Sequence, residues 1–156
     1  LNIKGPAAGI KVGNFADTGG AYPRAIALGR GTAYVANSNT DEVSLLSAVN
    51  LQLSRITRVG DTDRHITTDG QWVLTTNAAV DETDFRRSGG PSLTCLKADG
   101  TRVLTTAVKL DENDSMVPEA VLISPAGEMS KAAWVVNIAS RGEIRIYDLA
   151  KLCPGQ

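Results

Sequence analysis

One stretch of this chain returns twice in altered form, and that repetition limits the folds open to it. Tyr34-Val-Ala-Asn37 is echoed by Leu74-Thr-Thr-Asn77 and by Trp134-Val-Val-Asn137, and Val43-Ser-Leu-Leu46 by Ile144-Arg-Ile-Tyr-Asp148. A pattern that recurs every few tens of residues signals an array of similar units, each burying its apolar face against a neighbour. The first unit reads as strands. Ala25–Leu28, Ala33–Ala36, Val43–Leu46 and Leu53–Val59 are short runs rich in branched or aromatic residues, bounded by Gly29-Arg-Gly31, Asn37–Asp41 and Asn50. Four strands so closely spaced predict one antiparallel meander, which alone would expose two faces and two edges.

The same order restarts at Asp63, with strands over Asp63–Thr68, Gln71–Thr76, Ser92–Lys97 and Arg102–Leu110. It restarts again at Val117, with Val117–Ile123, Ala132–Val136 and Glu143–Tyr147. Asp69-Gly70 and Asp99-Gly100 predict type I′ hairpin turns, whose two central residues need positive φ. Their flanking segments are nearly identical at an offset of 99 − 69 = 30 residues, and we read them as two hairpins of one unit. The expected organisation is a single all-β domain with units at about 23–60, 63–110 and 117–152. Gly9-Ile-Lys-Val-Gly13 matches the end of the first unit and reads as an orphan outer strand (9–13), while the third unit has no room for a fourth strand.

Composition removes several classes of partner. The formal net charge is −1, so nothing electrostatic favours a nucleic acid. No apolar run approaches the roughly 20 residues that a membrane-spanning helix needs. No metal or other cofactor is implied by any motif. The Leu1 start fits a processed protein or a piece of a longer one. Cys95 and Cys153 are the only cysteines, and their spacing is not that of a zinc site. Within the alternating run Leu93-Thr-Cys-Leu96, Cys95 reads as a buried inert thiol. The alternative is a Cys95–Cys153 disulfide formed in an oxidising compartment, since both residues lie in matching parts of neighbouring units.

The order of a strand ending in Val-Gly, then Pro-x-x-Ile-Ala, a Gly turn, Tyr-Val-x-Asn and Val-Ser-Leu-Leu resembles the YVTN-type β-propeller repeat. The likeness runs from about Gly9 to Leu152 and is strongest in the first unit. It implies antiparallel four-stranded blades stacked around an axis, with Tyr34, Trp72 and Trp134 packing between blades and each signature Asn bonded to its own turn. Closed propellers carry about four to eight blades, more than the three units seen, so the resemblance implies a partial propeller or one completed by other chains. The partner is then protein: the rest of the propeller, other copies of this chain, or a partner subunit. An extracytoplasmic setting, in the periplasm or on the cell surface, is also implied. The function expected is a non-enzymatic binding scaffold presenting loops to a protein, glycan or small ligand. The alternatives are a propeller subunit of an oxidoreductase or lactonase, and a pilin-like β-rich head module.

Candidate site residues fall into three groups. His65, the only histidine, opens the second unit and is read as structural, with a channel-facing ligand or acid–base role as the alternative. Arg24, Arg64 and Glu119 hold corresponding positions just before each unit's first strand, where entry loops of a propeller form one rim. The run from Ala78 to Gly90 replaces a short loop of the first unit and carries Phe85, Arg86 and Arg87, a combination suited to a contact patch. Asp61-Thr-Asp63 and Asp111–Asp114 are read as solvated turns rather than calcium ligands, because neither continues as an EF-hand loop.

Overall fold

The computed structural model of the protein describes residues 16–60, 63–78, 91–107, 118–124, 132–137 and 142–154. These form three antiparallel sheets. The first is β1 (Pro23–Gly29), β2 (Thr32–Asn37), β3 (Glu42–Ser47) and β4 (Leu53–Arg58), in that order. The second is β5 (Asp63–Thr68), β6 (Trp72–Asn77), β7 (Ser92–Lys97) and β8 (Arg102–Ala107). Among the described residues the third has three strands, β9 (Pro118–Ile123), β10 (Ala132–Asn137) and β11 (Glu143–Asp148), in the order β11-β10-β9. A single helical turn, α1 (Leu149–Leu152), follows, with the Asp148 carboxylate accepting from the Ala150 N–H at 2.9 Å. The orphan strand expected at 9–13 lies outside the described residues.

Side chains alternate across each strand, and the alternation decides which sheet face meets which neighbour. Tyr34, Ala36, Val43 and Leu45 leave the first sheet on one face and pack with Val59 onto Ile66, Val73 and Leu96 of the second. Trp72, Leu74, Leu93 and Cys95 leave the second sheet on its opposite face and pack onto Val121, Ile123, Ala133 and Val135 of the third. The inner strands therefore lie side by side, β1 against β5 and β5 against β9. The Tyr34 hydroxyl crosses the first boundary and donates to the Ala98 carbonyl at 2.8 Å, so a buried phenol keeps its hydrogen bond. At the outer edge of that boundary the Thr57 hydroxyl donates to the Gly100 carbonyl at 2.7 Å. Gly100 has φ 83°, a conformation that strains other residues, and a Cβ there would also stand 2.9 Å from Leu45 Cδ2.

The aromatic positions need refinement. Tyr34 and Trp134 are equivalent in register, pairing with Leu45 and Ile146 respectively, whereas the second sheet places Leu74 there. Trp72 stands two residues earlier on the same face. Tyr34 and Trp72 do pack between sheets, but Trp134 lies on the face of the third sheet turned away from the second.

Two local expectations are corrected. The Asp-Gly turns are not type I′, since only Gly70 and Gly100 have positive φ, at 86° and 83°. Each aspartate instead accepts a backbone N–H two residues on: Asp69 from Gln71 and Asp99 from Thr101, both at 2.8 Å. Among the described residues, the turn with two consecutive positive φ values is Arg30-Gly31. The side chains of two signature asparagines, Asn37 and Asn77, tie neighbouring strands rather than their own turns, while that of Asn137 lies outside the described residues. Asn37 Nδ2 donates to Ser44 Oγ at 2.8 Å, and Asn77 Nδ2 to Ser92 Oγ at 3.0 Å and Thr94 Oγ1 at 2.9 Å. Each tie links the second strand of a sheet to its third. A glycine of the incoming segment lies on each: a Cβ on Gly20 or Gly60 would fall 2.6 Å from the Asn37 or Asn77 amide carbon.

Cys95 is not a free thiol. It is bonded to Cys153 with a sequence separation of 58 residues, tying β7 of the second sheet to the end of α1, whose Leu149 and Leu152 share the core between the second and third sheets. The alternating run that suggested an inert thiol correctly placed the residue in the core. It could not show that α1 would bring Cys153 to the same core. Closing a loop of that length is worth about 4 kcal/mol by the chain-entropy relation, within a usual range of about 2–5. Replacing both cysteines by serine is therefore expected to lower the unfolding free energy by about 2–5 kcal/mol. Urea unfolding of the variant beside the oxidised parent checks this, and reducing agent should shift the midpoint of the parent alone.

Candidate functional site

The first strands of the three sheets share a defect at one place. In β1, Pro23 pairs with Asn37 and Ala25 with Ala36, which leaves Arg24 as an extra residue. In β5, Asp63 pairs with Asn77 and His65 with Thr76, which leaves Arg64. In β9, Pro118 pairs with Asn137 and Ala120 with Val136, which leaves Glu119. A one-residue bulge releases a side chain from the regular alternation and re-aims it, and such bulges gather beside functional sites. The three charged residues singled out from sequence are thus the bulged residues of adjacent inner strands, at one rim of the stack.

The rim has a definite geometry. Arg64 and Glu119 meet across the second boundary at 3.3 Å, with Arg64 the better covered of the two. Arg24 stands at the same register on β1 and is exposed. Beneath the ion pair, His65 Nδ1 accepts the Val121 N–H at 3.4 Å, so the neutral imidazole carries its proton on Nε2. Burial lowers the His65 pKa, and the Glu119 carboxylate opposes that effect. A cleft of about 320 Å³ opens beside it, lined by His65, Ala120, Val121, Leu122, Trp134 and Ile144. It offers apolar walls and one imidazole, which suits an aliphatic or aromatic group.

Asp63, one residue before Arg64, does not lie in a solvated turn. It is fully buried where the first two sheets meet, and the Ser38 hydroxyl donates to its carbonyl. Burial pushes its carboxyl up to about 7, with the Asp41 and Glu42 carboxylates adding to the effect. An Asp-Thr-Asp run looks polar in isolation. The signal that could have revealed Asp63 is its pairing partner Asn77, because Asn37 pairs with the apolar Pro23 at the same place in the first sheet.

Phe85, Arg86 and Arg87, together with Asp61 and Asp111–Asp114, lie outside the described residues. The ends of the insertion are nonetheless placed. Asn77 and Ser92 face each other across β6 and β7, at the same rim as Arg64. Among the described residues no group of three or more His, Cys, Asp or Glu side chains could hold a metal ion. Nor is any helix there long and apolar enough to cross a membrane.

No protein-family model matches the chain, and no curated protein matches it in sequence. Solved structures do resemble it. The Pan2 WD40 domain of Neurospora crassa superposes with a TM-score of 0.61 at 16% identity, over 80% of this chain and 36% of that one. Hydrazine synthase of Kuenenia stuttgartiensis superposes with a TM-score of 0.52 at 20% identity, over 81% of this chain and 37% of that one. The chain thus spans little more than a third of either structure's length. These likenesses establish the fold: the sheets are antiparallel blades of the β-propeller kind.

The Asp63 carboxyl gives the site a pH signature. Its folded pKa lies above its unfolded value near 4, so the folded state holds the proton more tightly, and stability falls as pH rises from about 4 to about 7. His65 acts oppositely. Its folded pKa is lowered, so its contribution is complete above about 6.5 and is lost as pH falls below that. Asp63→Asn should remove the first effect alone. The stability advantage of the variant over the parent should grow between pH 4 and 7, with a slope of at most ~1.4 kcal/mol per pH unit. Denaturant unfolding at several pH values reads this; a constant difference between the two proteins would contradict it.

Proposed function

We propose that this chain is the blade-bearing part of a non-enzymatic binding scaffold working outside the cytoplasm, and that its bulged rim is the contact surface for a protein partner. The observation that carries this reading is the repeated bulge. Three successive inner strands break register at Arg24, Arg64 and Glu119, placing charge at one opening of the stack. The insertion bearing Phe85, Arg86 and Arg87 springs from the same rim, between Asn77 and Ser92. Loops on a rigid scaffold commonly carry recognition, and an aromatic beside arginines is a frequent anchor at protein interfaces. His65 is engaged by a neighbouring backbone N–H, which favours a structural role for it over acid–base work. The disulfide supports an oxidising compartment, because such bonds persist there and are rare in the cytosol. The YVTN-type repeat gives the best description of the sequence pattern within this fold, with blades at about 23–60, 63–110 and 117–152.

A capture comparison tests the rim. Extracytoplasmic extract of the source cells is passed over the immobilised chain, over an Arg24→Ala/Arg64→Ala/Glu119→Ala variant, and over an opposite-rim control, Arg30→Ala/Lys97→Ala. The reading expects a partner retained by the parent and the control and lost at least tenfold by the rim variant. Equal retention by all three would remove the rim as the contact surface.

A further inference from the structure

One residue of the rim is held in a conformation that its side chain disfavours. Among the described residues four that are not glycine have positive φ: Tyr22 at 57°, Arg30 at 47°, Asp41 at 55° and Leu51 at 61°. Arg30, Asp41 and Leu51 lie in the turns that join the strands of the first sheet, where a hairpin commonly asks for such a backbone. Tyr22 lies in none of them. It stands directly before β1 and two residues before the bulged Arg24. A bulky side chain in the left-handed region is an outlier.

The surroundings force that conformation on the backbone. The incoming chain lies over the first sheet, where the Ser44 hydroxyl donates to the Thr18 carbonyl and Gly20 covers the Asn37 amide. It then turns into β1, and the turn is tied to the loop after β2. The Ser38 N–H donates to the Tyr22 carbonyl at 3.1 Å and the Asn39 N–H to the Ala21 carbonyl at 3.3 Å. The Ala21 N–H donates to Thr40 Oγ1 at 3.4 Å. Strain of this kind persists where neighbouring contacts over-determine it, and it gathers at ligand clamps and other functional sites.

Nothing in the fold requires an aromatic at this position. Glycine meets a left-handed backbone without steric conflict, and the chain has glycine at 19 and 20 but tyrosine at 22. The Tyr22 side chain is not used as core, since the residue is 56% exposed. The repeat does not ask for it either. Pro23, Asp63 and Pro118 pair with Asn37, Asn77 and Asn137, so the sequence positions corresponding to Tyr22 hold Thr62 and Val117.

We infer that Tyr22 is a contact residue for the protein partner of the rim, an aromatic anchor that the strained turn presents beside Arg24. This role rests on the rim reading proposed above, and it adds a residue that neither the bulges nor the insertion identifies. Tyrosine and arginine are enriched among the side chains that dominate protein interfaces. Tyrosine also supplies a large contact area with little side-chain freedom to lose.

Two substitutions separate an anchoring role from a structural one. Tyr22→Gly removes the ring and relieves the backbone, whereas Tyr22→Phe keeps the ring. In urea unfolding, Tyr22→Gly is expected to have a higher midpoint than the parent, because glycine accepts positive φ without strain. The binding probe is the extracytoplasmic protein extract of the source cells, passed over each immobilised chain. The protein that the parent retains is expected to bind Tyr22→Gly about tenfold more weakly or worse, and Tyr22→Phe within about threefold of the parent. That bound protein should also protect Tyr22 from nitration by tetranitromethane, read by mass spectrometry, with Tyr34, 1% exposed, as the unreactive reference. A variant that gains stability while losing the partner is a result that a purely structural tyrosine would not give. Equal retention by the parent and Tyr22→Gly, with loss by the Arg24→Ala/Arg64→Ala/Glu119→Ala variant, would overturn the role of Tyr22 and leave the rim reading standing. A Tyr22→Gly midpoint at or below that of the parent would overturn it as well, as would nitration of Tyr22 unchanged by the bound protein. A parent that retains nothing, or retention that survives protease digestion of the extract and so marks a glycan, would remove the rim reading and the role of Tyr22 together.

Discussion

Everything in this fold depends on burying one face of each sheet against the next. A four-stranded meander has two faces, and an isolated sheet of this size would leave its branched residues in water. Strand alternation sends Tyr34, Val43 and Leu45 one way and Ala33, Val35 and Leu46 the other, so each blade is apolar on both sides. Burial of a single large apolar side chain is worth about 1.5–3 kcal/mol, and each boundary buries several. Stacking is therefore what makes each sheet stable, and the rim, the cleft and the disulfide are placed by it.

Polar groups within the stack follow the same logic. A buried donor left without an acceptor loses about 1–3 kcal/mol, so the hydrogen bonds inside and between blades are as specific as the apolar contacts. The Tyr34 hydroxyl finds the Ala98 carbonyl, and Asn37 and Asn77 each tie the second strand of a blade to its third. Gly20 and Gly60 are needed because the incoming chain passes directly over those asparagine amides. The fully buried Asp63 shows the opposite tendency. Its raised pKa is the expression of a carboxylate held where water cannot reach it, one residue from the bulge that carries Arg64.

Much of the architecture was legible in the chain because repetition carries register. The positions of Asn37, Asn77 and Asn137 at corresponding strand ends place the strands of all three sheets, and the charged trio could be aligned on the same basis. What escaped the sequence depends on three-dimensional neighbours. That Arg24, Arg64 and Glu119 sit in bulges is a property of pairing, since the same residues in flush register would alternate normally. The disulfide required α1 to turn Cys153 back onto the second blade. The Asp-Gly turns misled because the aspartate side chain, by accepting a backbone N–H, stabilises a turn with only one left-handed residue. The burial of Asp63 was hidden because Asp-Thr-Asp resembles a surface turn until Ser38 and the first blade cover it.

The central claim is that the first two sheets are locked face to face through the Tyr34 cluster. A double-mutant cycle between Tyr34→Ala and Leu96→Ala, read by urea unfolding, addresses it most directly, because the two residues belong to different sheets and to one buried cluster. Residues in contact show coupling of about 0.5–3 kcal/mol, and the stacked arrangement predicts a value in that range. Strictly additive losses, equal within about 0.3 kcal/mol, would contradict the stacking on which the rest of the structure rests.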